Sequence, residues 1–383
     1  MKRRIWSGAG LIGVVMVLAL AGCETEEGLT LGGNSSSGIV DTGQTSCYNN
    51  SNAISCPSGG TFSGQDAQYS GLQPAYRDNG DGTVSDLNTG LMWQQTPGAK
   101  MTYQQAAANA NSFQLAGYTD WRLPTIKELY SLILFSGVDV GSFTSTAGAV
   151  PFIDTRYFDF AYGDPAAGER VIDAQYATST LYVGGTRDGA AMFGVNFADG
   201  RIKGYGLSIF GRAKTFVVLY VRGTSTYGMN SFSPNNDGTV TDMSTGLTWQ
   251  QADDGVTRNW AESLTYCENL TLAGASDWRL PNVKELQSIV DYTRNNPALN
   301  TGVFAQTDPA GWFWSSTTHV STRNGGAANY VCFGPCTSAD GSDVHGAGAQ
   351  RSDPKSGNPA DWAGGNGPQN DEIRIYNYAR CVR

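Results

Sequence analysis

The chain has 383 residues, 40% of them hydrophobic and only 15% charged, with 49 glycines, nine tryptophans and a net charge of −9. That length suggests two domains of ordinary size. An acidic chain repels phosphate backbones, which argues against a nucleic-acid partner. The two histidines, His319 and His345, form no helical pair and no HExxH pattern, so histidine-based zinc or triad chemistry is not expected.

The first element is an address. Lys2, Arg3 and Arg4 form a basic start, and Leu11–Ala21 is an apolar run too short to span a bilayer as a mature helix. It ends in Leu20-Ala21-Gly22-Cys23, which resembles the lipobox of bacterial lipoproteins. The resemblance implies a signal peptide over residues 1–22, lipid on the Cys23 sulfur, and membrane attachment through that lipid. Losing three positive charges with the signal takes the net charge from −9 to −12. Glu24 rather than Asp after the cysteine points, by the same resemblance, toward the outer membrane or cell surface. Residues 23–45 are polar and rich in Gly, Ser and Thr, and read as a flexible tether. Residues 46–73 follow as a small cysteine-loop lead-in.

The remainder is written twice. DNGDGTVSDLNTGLMWQQ at 78–95 returns as PNNDGTVTDMSTGLTWQQ at 234–251, and DWRLP at 120–124 returns at 277–281. Lys127-Glu128-Leu129 returns as Lys284-Glu285-Leu286, and Val221-Arg222 as Val382-Arg383. An offset near 157 residues is a duplicated domain, not a solenoid unit. The copies span 74–223 and 230–383. In each, a tight turn precedes a short strand, a second strand carries a core tryptophan (Trp93, Trp249), and a helix covers 103–115 or 258–270. Gly117 and Gly274 read as helix C-cap glycines. Thr125 with Glu128, and Asn282 with Glu285, are capping boxes opening a second helix. Long Gly-rich loops and short closing strands complete an α+β domain.

The two ordered motifs, GTVSDLNTGLMWQ and DWRLPTIKEL, resemble the DUF1566 family, also called the Legionella collagen-like protein C-terminal (Lcl) domain, over nearly all of 74–383. The resemblance implies a C-type-lectin-like fold in each copy, related to formylglycine-generating enzyme, and includes an adhesin domain. With Cys23 assigned to lipid, six cysteines remain in an exported chain, which favours disulfides. Cys267 and Cys381 align with Ala110 and Tyr220, and Cys332 and Cys336 with Asn196 and Gly200. Joint absence from the first copy is expected of bonded partners, so the pairs are Cys267–Cys381 and Cys332–Cys336. Cys47 and Cys56 close a local loop.

Candidate sites are few. Asp78, Asp81 and Asp86 have a calcium-loop flavour, but they fall short of the six to eight oxygens the ion needs, so a polar turn is favoured and no cofactor is expected. A ligand face is expected in the late loops of the second copy, from Trp312, Trp362, Asn366, Asn370 and Asp371, with Trp314 and Tyr376 assigned to the core. Arg201, Lys203, Arg212 and Lys214 form the one dense basic group, read as a solvated strand face. Neither sugar-binding tripeptide of calcium-dependent C-type lectins occurs. The expectation is a non-enzymatic envelope lipoprotein binding an extracellular polysaccharide or protein. The alternatives are a structural or assembly component of an envelope complex, and a thiol enzyme using Cys332 and Cys336.

Overall fold

A computed structural model of the chain describes residues 38–209, 211–224 and 226–383. Cys23 and the signal segment lie outside the described residues. The architecture is mixed α+β, mostly strands with a few short helices.

Each copy opens with a small antiparallel sheet. In the first, β1 (Tyr76–Asp78), β2 (Thr83–Asp86) and β3 (Met92–Gln94) form a meander. The second repeats it with β8 (Phe232–Pro234), β9 (Thr239–Asp242) and β10 (Thr248–Gln250). Alternation sends Val84, Trp93, Val240 and Trp249 inward, all fully buried. The chain returns at the end of each copy to the same place. β7 (Val221–Arg222) pairs with β3 at Trp93, and Val382 bridges Trp249.

The helices are α1 (Tyr103–Ala110), α2 (Ile126–Ser131), α3 (Trp260–Glu268) and α4 (Val283–Ser288). The capping boxes at Thr125/Glu128 and Asn282/Glu285 form as expected. The first helices end earlier than their pattern suggests, and Gly117 and Gly274 do not cap them. Ala116 (φ 53°) with Gly117 (φ 80°), and Ala273 (φ 52°) with Gly274 (φ 75°), make two-residue turns. Leu115 and Tyr118 exchange both backbone hydrogen bonds across the first of these, as do Leu272 and Ala275 across the second. Two successive positive φ values define the type I′ turn, which needs glycine as much as a C-cap does.

The DWRLP…KEL motif is structural. Trp121, Trp278, Leu123 and Leu280 are buried. Arg122 grips Glu128 with two bonds of 2.8 and 2.7 Å, and Arg279 grips Glu285 with 2.7 and 2.6 Å. Asp120 pairs with Arg222 and Asp277 with Arg383, tying the motif to the end of each copy.

The copies are joined by a six-stranded sheet. The first supplies β4 (Gln175–Tyr176), β5 (Ala191–Asn196) and β6 (Arg201–Gly206). The second supplies β11 (Trp312–His319), β12 (Ala327–Cys332) and β13 (Gln350–Pro354). The order is β4-β5-β6-β13-β12-β11, so the two copies meet at β6 and β13. One face of this sheet covers a core shared by both copies, with α2, α4 and residues such as Phe193, Ile202, Phe313 and Val331. The opposite face carries two separate apolar clusters, one with α1 and one with α3. The relation between copies is reciprocal, as in an isologous dimer. Lys127 Nζ donates to the Ser288 carbonyl at 2.6 Å, and Lys284 Nζ to the Ser131 carbonyl at 3.0 Å.

All three expected disulfides are formed: Cys47–Cys56, Cys267–Cys381 and Cys332–Cys336. The first copy replaces the long bridge with a hydrogen bond of 2.7 Å from Tyr220 Oη to the Ala106 carbonyl on α1.

The lead-in holds a surprise for composition. Val40 to Thr42 and Gln44, assigned to the tether, are buried, because their polar groups bond into the protein instead of water. Gln44 exchanges two hydrogen bonds with the Thr318 backbone, and Thr42 Oγ1 donates to Asp66 at 2.8 Å. Asp66 also accepts from Thr317 Oγ1 at 2.6 Å. Burial pushes the Asp66 carboxyl up to about 7, against the pull of the two hydroxyls. The folded state therefore keeps a proton that the unfolded state releases near 3.8. Its stabilising contribution is complete below that value and is lost as pH rises through about 7. Asp66→Asn is expected to flatten this dependence. Wild-type stability should fall relative to the variant by up to about 4 kcal/mol between pH 4 and 7.5, at 1.36 kcal/mol per unit. Urea unfolding at both pH values checks it, and parallel curves would refute it.

Candidate functional site

The site follows from strand alternation at the seam. Ile202 pairs with Gln350, and both point into the shared core. Their neighbours Arg201, Lys203 and Arg351 must then project from the opposite face. That face is covered by apolar clusters on either side of the seam, but at the seam it is open. Three adjoining cavities of about 710, 210 and 490 Å³ share lining residues there. Gly194 sits opposite Lys203 in register. A Cβ at Gly194 would come within 2.6 Å of the Tyr176 carbonyl, so a side chain is excluded above the lysine. The other wall is the loop Asn366–Asp371, closed by mutual backbone bonds of 2.8 Å between its two ends.

The charges are fixed by pairing. Arg201 donates to Asp139 at 2.9 Å and to Ser352 Oγ at 3.0 Å, crossing from one copy to the other, and lies 3.5 Å from Asp199. His319 Nε2 is 3.0 Å from Asp139. Burial works against the Asp139 charge, but Arg201 and His319 outweigh it and hold the carboxyl below its usual range. Burial, with help from Arg201, holds His319 below its usual value. A second knot joins Asp371 to Arg351 and to His345 Nε2, the latter at 2.9 Å. Burial and the Arg351 charge push His345 down to about 3. Arg351 and His345 outweigh burial to keep Asp371 ionised. Lys203 stands between the knots with its ammonium in no hydrogen bond or ion pair among the described residues. Burial, reinforced by Arg351, lowers it to about 7. The arrangement presents fixed charges and amides around an open space. Among the described residues no group of three or more His, Cys, Asp or Glu is placed to hold a metal ion.

The expected site residues divide. Trp362, Asn366 and Asp371 line these cavities, and Asn370 is exposed on the same loop. Asp371 is engaged through both oxygens, which makes it a positioning residue for Arg351. Trp312 is corrected: it is 1% exposed, with Tyr330 stacked on its ring at 5.0 Å and the Arg374 guanidinium at 3.8 Å. Its place on a strand facing α3, beside a glycine that mimicked a loop, explains the misreading. Trp314 is core as expected, whereas Tyr376 is 44% exposed. Asp78, Asp81 and Asp86 do not converge, and each caps its own turn by accepting backbone N–H bonds from residues two or three positions on. Cys332 and Cys336 are buried and bonded to each other. The basic group is split: Arg201 and Lys203 are at the seam, Arg212 is exposed, and Lys214 lies over the Tyr205 and Phe216 rings. Sequence reasoning missed Arg351, Asp139 and both histidines. The signal present was an alternating charged strand, QRSDP, with no stated partner.

Compared with known proteins, the profile of the family described as Lcl C-terminal domain matches residues 82–222 and 238–347, one segment in each copy. No curated protein and no solved structure matches the chain.

Proposed function

Since the chain belongs to the Lcl C-terminal domain family, we propose that it is a non-catalytic binding protein of the bacterial envelope. In this reading it is anchored by lipid on Cys23 at the outer membrane or surface, and takes an extracellular polysaccharide or protein in the seam cleft. The observation that carries it is the cleft itself. Polar groups of both copies, held by ion pairs, surround an open space of the size that admits small ligands. The reading includes a C-type-lectin-like fold for each copy. Supporting it are the order helix, WRLP, helix, long loop, and the closing strand returning beside the first sheet. A bridge from the first helix to the C-terminal segment in the second copy agrees with it.

Binding of the detergent-solubilised full chain to arrays of envelope and host polysaccharides, with and without EDTA, tests the reading. Retention of one polymer class, lost in a variant with the cleft blocked by Gln369→Trp, whose site lines two of the cavities, is the expected result. Equal retention by that variant would move the site elsewhere. Labelled palmitate incorporated by wild type but not by Cys23→Ser tests the anchor.

A further inference from the structure

The duplicated fold builds one groove twice, and the chain's own lead-in fills only one of the two. In the filled groove, the start of α4 and the end of β11 face Leu134-Phe135-Ser136 of the first copy. Thr42 lies between them, its carbonyl accepting from the Phe135 N–H at 2.7 Å. Two residues on, the Gln44 amide spans the Thr318 N–H and C=O, at 2.9 and 2.8 Å. Asp66 accepts from Thr317 Oγ1 at 2.6 Å, and Lys284 Nζ donates to the Asp41 carbonyl at 3.0 Å.

The same walls recur at the start of α2. Ile126 N–H donates to Thr180 Oγ1 at 3.0 Å, as Val283 N–H does to Thr317 Oγ1 at 3.0 Å. Thr180 and Leu181 are therefore the counterparts of Thr317 and Thr318. At the repeat offset of 157, Lys127, Tyr292 and Thr293 match Lys284, Phe135 and Ser136. These five line an open groove of about 710 Å³, which shares no lining residue with the seam cavities. The groups that the lead-in satisfies in one groove are left over in the other. Leu181 and Tyr292 each keep a backbone N–H and C=O in no hydrogen bond among the described residues, and the Thr180 hydroxyl donates to nothing there. The cause is chain length. The lead-in precedes the first copy, whereas only residues 224–229 precede the second, too few to fold back in the same way. Around the open groups Leu181, Val183 and Met229 are 47, 57 and 64% exposed. Three large apolar side chains left bare around one groove mark a contact surface.

We infer that this groove takes a segment of another polypeptide that carries the Thr-Gly-Gln pattern of residues 42–44. The carbonyl before the glycine meets the Tyr292 N–H, and the glutamine amide spans the Leu181 N–H and C=O. Gly43 has φ 71°, so a glycine is what sets carbonyl and amide at this spacing. The partner docks through one carbonyl and one side-chain amide, without adding a strand to the sheet. Hydrogen bonds to the groove's backbone hold it, and apolar residues flanking the pattern cover Leu181, Val183 and Met229. The source is a different protein rather than a second copy of this chain, because Thr42 and Gln44 of each copy are already engaged in its own filled groove. This face is separate from the seam cleft, and its failure would leave the binding reading above untouched.

The probe is a fluorescent synthetic peptide with the sequence of residues 39–46, titrated into the detergent-solubilised full chain and followed by anisotropy. One peptide is expected to bind per chain. Thr293→Trp should weaken it by about tenfold or more. The counterpart of that position, Ser136, has its Oγ 3.9 Å from where a Cβ on Gly43 would sit, so the indole occupies the peptide's path. Val183→Asp, at an exposed side chain, should weaken it as well, and both variants should keep the wild-type melting temperature. Gln44→Leu in the peptide should cost about tenfold in affinity. Affinity unaltered by both groove variants would mean that the peptide displaces the chain's own lead-in, and overturns the proposal. So does affinity unaltered by Gln44→Leu in the peptide, or no binding at about 1 mM peptide. Sedimentation of the chain alone provides the last arm: self-association abolished by Thr293→Trp would give the groove to a second copy and overturn the choice of partner.

Discussion

Replacing Cys267 and Cys381 together by alanine is expected to lower stability by about 4–5 kcal/mol, the largest single effect we anticipate. The bridge spans 114 residues of chain, both residues are fully buried, and it fastens α3 to the C-terminal segment that runs beside β10. On the chain-entropy account, cutting a loop of that length returns most of its conformational freedom to the unfolded chain. Denaturant midpoints with and without reductant, for wild type and the double variant, measure it. Without reductant the variant should exceed reduced wild type by the contributions of the two shorter bridges, which it keeps. A shift below about 1 kcal/mol would show that packing around α3 already does this work. The first copy suggests why the element needs fastening at all, since it achieves the same tie with Tyr220 and the Ala106 carbonyl.

Lys284→Met comes second, at about 2–4 kcal/mol. Lys284 is buried, and its ammonium bonds the carbonyls of Asp41 and Ser131 at 3.0 Å each. Methionine retains the packing and abandons two buried acceptors, each costing about 1–3 kcal/mol. Burial already lowers this lysine to about 7, so part of the loss is offset by no longer desolvating an amine. The reciprocal variant Lys127→Met should cost less. Lys127 faces an open groove, where water reaches the Ser288 carbonyl once the ammonium is gone. Equal costs in urea titrations would refute the role given to water, and no cost in either would refute the reciprocal tie.

The local grammar was legible because its causes are local. A Glu three residues after Thr125 or Asn282 serves the same backbone N–H whatever surrounds it. The disulfides were legible because duplication supplies an internal comparison: partners vanish in pairs. The seam was not legible. Residues 202 and 350 belong to different copies, and nothing in Arg201-Ile202-Lys203 says which strand will lie beside it. The alternation foretold one buried face and one polar face, but not that two apolar clusters would leave a gap above the polar one. Trp312 and Tyr376 failed for a related reason. Exposure depends on which element covers a side chain: α3 covers Trp312 on its strand, whereas Tyr376, on the loop before the C-terminal segment, is left bare. The KEL motif was read as a helix start and nothing more. Its lysine reaches across to the other copy, a contact visible only when both copies are folded together.

The order of the six-stranded sheet has a further consequence, for solubility. Its outer limits are β4, only two residues long, and β11, whose backbone is occupied in part by Gln44 and Tyr378. The strands that would be its most inviting margins, β6 and β13, are turned against each other. A copy cut loose between residues 223 and 230 would carry one of them bare, with unpaired N–H and C=O groups ready to recruit a strand from another molecule. Keeping both copies in one chain hides those margins at a fixed stoichiometry, so the intact protein meets its neighbours without a sticky rim.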